Sequence, residues 1–176
     1  VMHISFGVEN CSPRIRKLMG KPQNAQRLEE LPKWCAEVGI RCYYLIILFS
    51  PESTMEDLRV NYETLARWMA GGVTISIEPY MMPYRGARIW YSDYDFGYHI
   101  EKLSNGKVLK QPYIIYPGDP DVRLVTERFK ERTPEYLAAA DRAAGKVQRS
   151  KDHTAKVYVK LLGDLLKEVG MCSESS

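Results

Sequence analysis

The first 80 residues alternate between short apolar runs and amphipathic segments, and this alternation constrains the fold more than any other feature. Apolar runs occupy residues 2–8, 40–49 and 73–80, and apolar residues at helical spacing occupy residues 24–38 and 55–70. Helical connections of that length fit right-handed crossovers between parallel strands. The run at 40–49 is apolar almost throughout, as is typical of a parallel strand covered on both faces. The pattern therefore predicts an α/β fold.

Local signals predict where the helices begin and break. Ser53 and Glu56 have the S-x-x-E spacing of a capping box, which predicts the start of the second helix. Pro32 lies inside the first helical segment, where a proline is expected to kink the helix. Thr133 followed by Pro134 has the pattern of a cap with proline in the first turn, so we expect a new helix to begin there.

The remainder of the chain has a different character. Residues 81–97 lack periodicity, and Asn105-Gly106 lies between two β-type runs, which predicts a hairpin. Asp119-Pro120 predicts a helix start, and residues 152–169 have apolar positions at helical spacing. We therefore expect three segments, namely strand–helix units over 1–92, an irregular stretch and β-hairpin over 93–118, and C-terminal helices over 119–176.

Composition and charge narrow the class of protein. Hydrophobic residues make up 45% and charged residues 27%, close to a globular average. The net charge of +3 is too small to predict a nucleic-acid partner. No apolar run reaches the length of a membrane span, and no signal-peptide pattern is visible, so we expect a cytoplasmic protein without a membrane partner. The cysteines lack metal-ligating spacing and predict reduced, mostly buried thiols; they are Cys11, Cys35, Cys42 and Cys172.

Several polar or flexible side chains follow the predicted strands, where parallel sheets carry their chemistry. Glu9 follows the first strand and is able to accept hydrogen bonds from a ligand. We expect Glu52, just ahead of the second helix, to complement the helix dipole. Lys21 and Arg85 are cations able to hold an anion, although exposed cations are usually solvated. Met81 follows the third strand, where methionine more often fills gaps in a core.

Five stretches carry motifs that match a known family in order. They are residues 4–13 (ISFGVENCSP), 16–21 (RKLMGK), 38–40 (VGI), 46–57 (IILFSPESTMED) and 78–87 (EPYMMPYRGA). Together they resemble the last three strands and connecting loops of radical S-adenosylmethionine enzymes, most closely the cobalamin-associated and MiaB-like branch. The resemblance implies the second half of a partial TIM-type barrel, followed here by the β-hairpin and the C-terminal helices.

The resemblance also implies a set of residues that bind S-adenosylmethionine: Glu9, Asn10, Lys21, Leu48, Phe49 and Met81. Glu9 and Asn10 would contact the ribose or amino-acid part of the cofactor, and Lys21 its carboxylate. The backbone of Leu48 and Phe49 would contact adenine. Leu48 stands where the family usually has a glycine, and Asn10 where it usually has a serine.

The family's [4Fe–4S] cluster is held by a CxxxCxxC loop, and this sequence contains no such loop. The resemblance therefore implies that the cluster ligands lie in a missing N-terminal part of the same enzyme. We expect the chain alone to be inactive, and its first strand not to be a natural beginning. Cobalamin is a further cofactor that this branch of the family allows.

Two other interpretations remain open from the residues themselves. One is a non-catalytic half-barrel that interacts through its exposed sheet edge with another chain, or with a second copy to form a dimer. The other is a metal-free α/β enzyme that binds an anionic ligand at the strand ends. In either enzyme interpretation the substrate is a small molecule that the sequence does not identify.

Overall fold

The computed structural model describes residues 2–84, 93–145 and 150–171. Its larger sheet is parallel and three-stranded, in the order β1-β2-β3. The strands are β1 (His3–Glu9), β2 (Arg41–Phe49) and β3 (Thr74–Tyr80). The helices that connect them are α1 (Pro13–Leu18), α2 (Ala25–Glu37) and α3 (Met55–Ala70). This confirms the α/β class and the strand–helix order expected from the sequence.

The second half of the chain adds a hairpin and two long helices. They are β4 (Phe96–Lys102), β5 (Val108–Ile115), α4 (Pro120–Ala144) and α5 (Lys151–Glu168). The hairpin turns where Asn105-Gly106 predicts it, with Gly106 at a φ of 77° and the Asn105 side chain accepting from the amide of Lys107 at 3.0 Å. Helix α4 begins at the predicted cap, because Asp119 accepts from the amides of its first turn. Within the described ranges, no helix is both long and apolar enough to cross a membrane.

Burial alternates along β2, so the expectation that this strand is covered on both faces is wrong. One face is buried against the helices through Cys42, Tyr44, Ile46 and Leu48. On the other face Leu45 is 38% exposed, and Tyr43 and Ile47 are only half-buried. Apolar character alone misled the prediction, because a strand can carry apolar residues on a face that its own helices leave partly open.

Helix α2 continues through Pro32, and a side chain from the sheet explains how. A proline at this position removes the N–H that would donate to the carbonyl of Leu28. The hydroxyl of Tyr44, a fully buried residue, donates to that carbonyl at 2.5 Å. The β2 tyrosine thus replaces the helix hydrogen bond that Pro32 lacks and ties α2 to the sheet.

The capping box of α3 lies one residue later than predicted. The prediction paired Ser53 with Glu56. In the structure Thr54 is the N-cap, and it exchanges hydrogen bonds with Asp57. The Ser53 hydroxyl instead accepts from the amide of Ser50 at 3.1 Å. Both serine and threonine cap helices well, so the local pattern could not choose between two adjacent registers.

The helix start predicted at Thr133 is also wrong, because α4 runs without a break through Pro134. The hydroxyl of Thr133 donates to the carbonyl of Phe129 at 2.7 Å, within the same helix. Phe129 is fully buried against Phe49 and Tyr158. Leu137, after the proline, is buried as well, so packing on both sides of Pro134 keeps the two halves in one helix.

Candidate functional site

A cleft of about 290 Å³ opens at the carboxyl end of the parallel sheet. It is lined from β1, the end of α1 and the loop after it, β2 and the loops that follow β2 and β3. The lining residues are Glu9, Leu18, Met19, Lys21, Ile47, Glu52 and Met81. Three residues expected from the sequence to bind a ligand, Glu9, Lys21 and Met81, therefore meet at one place.

The loop after α1 turns Lys21 back toward the end of β1. Gly20 adopts a φ of 73°, and the amide of Lys21 donates to the carbonyl of Arg16 at 2.8 Å. The side chain of Gln23 then donates to the carbonyl of Gly7 at 3.1 Å, which fastens the loop to the strand. This local geometry carries the Lys21 ammonium to the Glu9 carboxylate, with which it forms an ion pair.

The ion pair is partly open to solvent, with 44% of the Lys21 side chain and 22% of the Glu9 side chain exposed. Half-exposed ion pairs contribute little to stability, typically below about 1 kcal/mol. A ligand bearing its own carboxylate and amine could therefore replace either partner at small cost. The cleft offers both signs of charge beside an apolar wall.

Glu9 is aimed into the cleft by an irregularity in β1. The pairing register between β1 and β2 shifts between Gly7 and Glu9, and Glu9 has a φ of 69°. A bulge of this kind re-aims the side chain that follows it. The left-handed conformation costs a non-glycine residue about 1–2 kcal/mol, and such strain clusters at functional sites.

Gly7 makes room for the ion pair, and sequence reasoning missed this role. A Cβ atom at position 7 would lie 2.5 Å from Glu9 Oε1 and 3.0 Å from Lys21 Nζ. Gly7 pairs with Leu45 of β2, on the partly open face of the sheet. The available signal was a glycine inside a β-type run, which often marks a bulge or a close approach.

Glu52 places a second carboxylate at the cleft. It accepts a hydrogen bond from the Ser50 hydroxyl at 3.0 Å and another from the Tyr94 hydroxyl. The hydrogen bond to Glu52, with burial as the smaller cause, raises the pKa of Tyr94 to about 12. The expected role at the helix dipole thus does not describe the whole environment of Glu52, because the side chain also lines the cleft.

Asn10 lies behind the cleft and is fully buried. Its amide nitrogen donates to the carbonyl of Ile47 at 2.9 Å, and its amide oxygen accepts from the amide of Ser12 at 2.9 Å. The buried guanidinium of Arg16 donates to the carbonyls of Asn10, at 3.1 Å, and Cys11, at 2.6 Å. Burial lowers the pKa of Arg16. The Asn10 side chain joins the ends of β1 and β2, and its contact with a cofactor stays a prediction.

Leu48 and Phe49 are also fully buried, and their carbonyls are engaged within the protein. The carbonyl of Leu48 accepts from the side chain of Asn61 at 3.2 Å, and that of Phe49 from the amide of Met81 at 3.3 Å. Asn61 also accepts from the amide of Cys11 at 2.8 Å, so one buried amide links α3 to two strand ends. A contact between this backbone and adenine stays a prediction, and no sequence pattern indicated Asn61.

The described residues do not provide the ligands of a metal cluster. Among them there is no group of three or more His, Cys, Asp or Glu side chains able to hold a metal ion. Cys11 follows the carboxyl end of β1, whereas Cys35 and Cys42 lie at the opposite end of the sheet, and all three are free and buried. The donor set does not fit a [4Fe–4S] cluster. Arg85 and Cys172 lie outside the described residues.

Comparison with known proteins does not assign this chain to a family. No family model, no curated protein and no solved structure matches the chain. The function must therefore be argued from the cleft and from the sheet that carries it.

Proposed function

We propose that the cleft binds S-adenosylmethionine and that β1–β3 belong to a partial barrel of the radical S-adenosylmethionine type. The observation that carries the proposal is the convergence of Glu9, Lys21 and Met81 at the carboxyl end of three parallel strands. Ligands of α/β sheets bind at this end. These side chains come from separate segments of the chain, and each was expected at the site from its motif.

The chemistry of the cleft matches that of the proposed ligand. S-adenosylmethionine carries a carboxylate, an ammonium, ribose hydroxyls and a positively charged sulfonium. Lys21 would bind the carboxylate, and Glu9 and Glu52 would accept from the ammonium or the hydroxyls while favouring the sulfonium charge. Met19 and Ile47 supply apolar surface for the rest of the molecule.

The sheet itself is compatible with half of a larger barrel. In barrels of this type the helices cover the outer face and the inner face lines the interior, and Leu45 lies on a face that the helices of this chain leave partly open. Within the described sheet β1 pairs only with β2, and the exposed Met2 and Ile4 lie on or beside this edge strand. The remaining strands of the proposed barrel would pair with β1.

The proposal is limited to cofactor binding, because the described donors do not fit a [4Fe–4S] cluster. Reductive cleavage of the cofactor would require cluster ligands in addition to the residues described here. The chain alone is expected to bind S-adenosylmethionine weakly, since the cluster that would hold the amino and carboxylate groups is not part of it.

Calorimetric titration of the purified chain with S-adenosylmethionine tests the proposal. We expect saturable binding that weakens about tenfold in Glu9→Gln and in Lys21→Met, the loss of one charged contact of about 1.4 kcal/mol. The matched controls are Glu37→Gln and Lys33→Gln on the exposed surface of α2, which should leave the affinity unchanged. Absence of saturable binding, or an equal effect of the control variants, would refute the proposal.

Competition experiments separate this proposal from a simple anion site. S-adenosylhomocysteine should compete with S-adenosylmethionine, because it shares the amino-acid, ribose and adenine groups. Inorganic phosphate should not compete, because the carboxylates of Glu9 and Glu52 beside Lys21 repel a second anion. Binding of phosphate in preference to the nucleoside ligands would favour the metal-free interpretation.

The edge of the parallel sheet favours a second candidate, an interaction module. Met2 and Ile4 are 71% and 42% exposed at the strand whose outer edge is free within the described sheet, and open edges invite pairing with another strand. Sedimentation equilibrium over a range of concentrations tests for a dimer. Ile4→Lys should abolish association if the edge is the interface, whereas Ile100→Lys on the hairpin is the control; a concentration-independent monomer would refute this candidate.

A further inference from the structure

A second pocket, the β3-edge pocket, lies between the outer strand of the parallel sheet and the start of the last helix. It has a volume of about 230 Å³ and is lined by residues 76–79 of β3 and by Ser150, Lys151, Thr154 and Tyr158. It shares no lining residue with the cleft. The pocket is smaller than the cleft, so it has room for a small molecule only.

A buried serine distinguishes this pocket from an ordinary surface groove. Ser76 is 7% exposed, and its hydroxyl has no hydrogen-bond partner among the described residues. Buried polar side chains nearly always have a partner, so one that lacks it points to a bound molecule that supplies the hydrogen bond. Ser76 and Glu78 pair with Leu45 and Ile47 of β2, and alternation along the strand places both on one face, where they line the pocket together.

The start of α5 supplies the opposite wall of the pocket and its positive end. Ser150 is the N-cap, whose hydroxyl accepts from the amide of His153 at 3.1 Å and whose carbonyl accepts from the amide of Thr154 at 3.1 Å. The amides of Lys151 and Asp152 have no hydrogen-bond partner in the described part of the chain. Free amides at the start of a long helix attract anions, and α5 has 18 residues. The Lys151 ammonium adds a full positive charge at the same place.

Two charges of opposite sign line the pocket without a protein partner. Neither Glu78 nor Lys151 makes an ion pair with any residue that the structure describes. Asp152, the acidic residue in the first turn of α5, is paired with Lys156 at 2.8 Å and does not line the pocket. A simple anion would be repelled by the Glu78 carboxylate, whereas a ligand that carries an ammonium beside its carboxylate satisfies both charges.

We propose that the β3-edge pocket binds a small α-amino acid in its zwitterionic form. The carboxylate of the ligand would accept from the Lys151 ammonium, from the free amides of α5 and from the Ser76 hydroxyl. The ammonium of the ligand would donate to Glu78. The proposal does not rest on the proposed function, because the pocket and the cleft have no residue in common.

Titration of the purified chain with L-alanine, followed by ¹H–¹⁵N NMR without S-adenosylmethionine, tests the proposal. We expect saturable shifts of the backbone amides of Ser76, Asp152 and Thr154. Propionate lacks the amine of alanine, and isopropylamine lacks its carboxylate, so each should bind at least about tenfold more weakly. Absence of saturable shifts, or propionate binding as tightly as L-alanine, would overturn the proposal.

Charge variants locate the binding. Glu78→Gln and Lys151→Met should each weaken L-alanine binding about tenfold, and both residues are exposed, so the fold should persist. Lys167→Met and Glu101→Gln, on exposed surfaces elsewhere, are the matched controls and should leave the affinity unchanged. Lys21→Met removes the cation of the cleft and should also have no effect. Binding that is lost in Lys21→Met and kept in Lys151→Met would place the amino acid in the cleft and overturn the proposal.

Ser76→Ala separates a role in binding from a role in the fold. The hydroxyl has no partner in the free protein, so its removal should leave the urea midpoint of unfolding unchanged or raise it. The same variant should bind L-alanine several-fold more weakly. A lower midpoint with unchanged L-alanine affinity would show that the hydroxyl serves the fold, and would overturn its assignment to the ligand.

Discussion

Glu9 meets Lys21 from a backbone conformation that a glutamate rarely adopts. The φ of Glu9 is 69°, and the register of β1 shifts just before it. The resulting ion pair is too exposed to stabilise the fold strongly. The strain at Glu9 is therefore better explained by the carboxylate that it places in the cleft than by a contribution to stability.

The strain at position 9 predicts an unusual order of stabilities. Glu9→Gly and Glu9→Ala both remove the ion pair, but only glycine adopts a positive φ without a steric penalty. We expect the glycine variant to unfold with a free energy about 1 kcal/mol higher than the alanine variant. Urea denaturation followed by circular dichroism measures the difference. Both variants should lose S-adenosylmethionine affinity to the same extent, and equal stabilities would show that the residue is not strained.

A methyl group at position 7 is expected to disturb the cleft without unfolding the protein. The added Cβ of Gly7→Ala would lie 2.5 Å from Glu9 Oε1 and 3.0 Å from Lys21 Nζ, the mobile ends of two side chains. These ends can move aside, so the free energy of unfolding should change by less than about 1 kcal/mol. The affinity for S-adenosylmethionine should nevertheless fall about tenfold. A large loss of stability with unchanged affinity would contradict this account of Gly7.

The order of the elements could be predicted because it depends on local periodicity. The alternation of apolar runs with helical spacing predicted three parallel strands with helices between them, and the structure has them in the order β1-β2-β3. Signals whose effect depends on tertiary contacts were harder to interpret. The Thr133-Pro134 pattern wrongly predicted a new helix start. The helix predicted over 24–38 forms although Pro32 lies inside it, and only the structure shows that the Tyr44 hydroxyl donates to the carbonyl that Pro32 leaves without its helical donor.

The candidate site could also be predicted only in part. Glu9 was selected because it follows a predicted strand, and ligands bind at strand ends. Lys21 was selected because residues 16–21 resemble a loop of the radical S-adenosylmethionine enzymes. Gly7 and Asn61 were not, because their roles depend on a missing side chain and on a buried amide that joins three segments. A glycine inside a β-type run was the signal at position 7, whereas Asn61 had no signal in the sequence.

Asp57 predicts how stability depends on pH. Burial disfavours its charge, but hydrogen bonds from Arg14, Ser12 and Thr54 outweigh burial and lower the pKa of the carboxyl to about 2. Its unfolded value is near 4. The charged carboxylate therefore stabilises the fold above about pH 4, and this contribution is lost as the pH falls from about 4 toward 2.

The Asp57→Asn variant isolates that contribution. We expect it to lower the free energy of unfolding by about 2 kcal/mol at pH 7, with the difference from wild type shrinking below about pH 4. Urea titrations at several pH values between 2 and 7 provide the measurement. Glu56→Gln is the control on the same helix turn, since the Glu56 side chain is 60% exposed and pairs only at the surface with Arg59. A difference that stays constant across this pH range would exclude the proposed role of the Asp57 charge.

At Gly163 we expect replacement by alanine to destabilise the protein, although this change usually stabilises a helix. Replacing a glycine inside a helix with alanine normally stabilises the helix, by about 1 kcal/mol. In α5, however, a Cβ at position 163 would lie 2.8 Å from Cζ and 3.0 Å from the hydroxyl of Tyr62 on α3, and closer still to Cε2. An aromatic ring packed between two helices cannot yield as a flexible side chain does. We therefore expect Gly163→Ala to lower the free energy of unfolding by about 1–3 kcal/mol.

A double-mutant cycle with Tyr62→Ala separates the clash from other effects. Removing the ring leaves space for the methyl group, so Gly163→Ala should be neutral or stabilising in the Tyr62→Ala background. The coupling free energy between the two positions should then exceed about 1 kcal/mol. Tyr62→Phe is the matched control, because phenylalanine keeps the ring atoms that meet the new Cβ and should leave Gly163→Ala destabilising. Additive effects in the alanine cycle would mean that α3 and α5 do not pack through this pair.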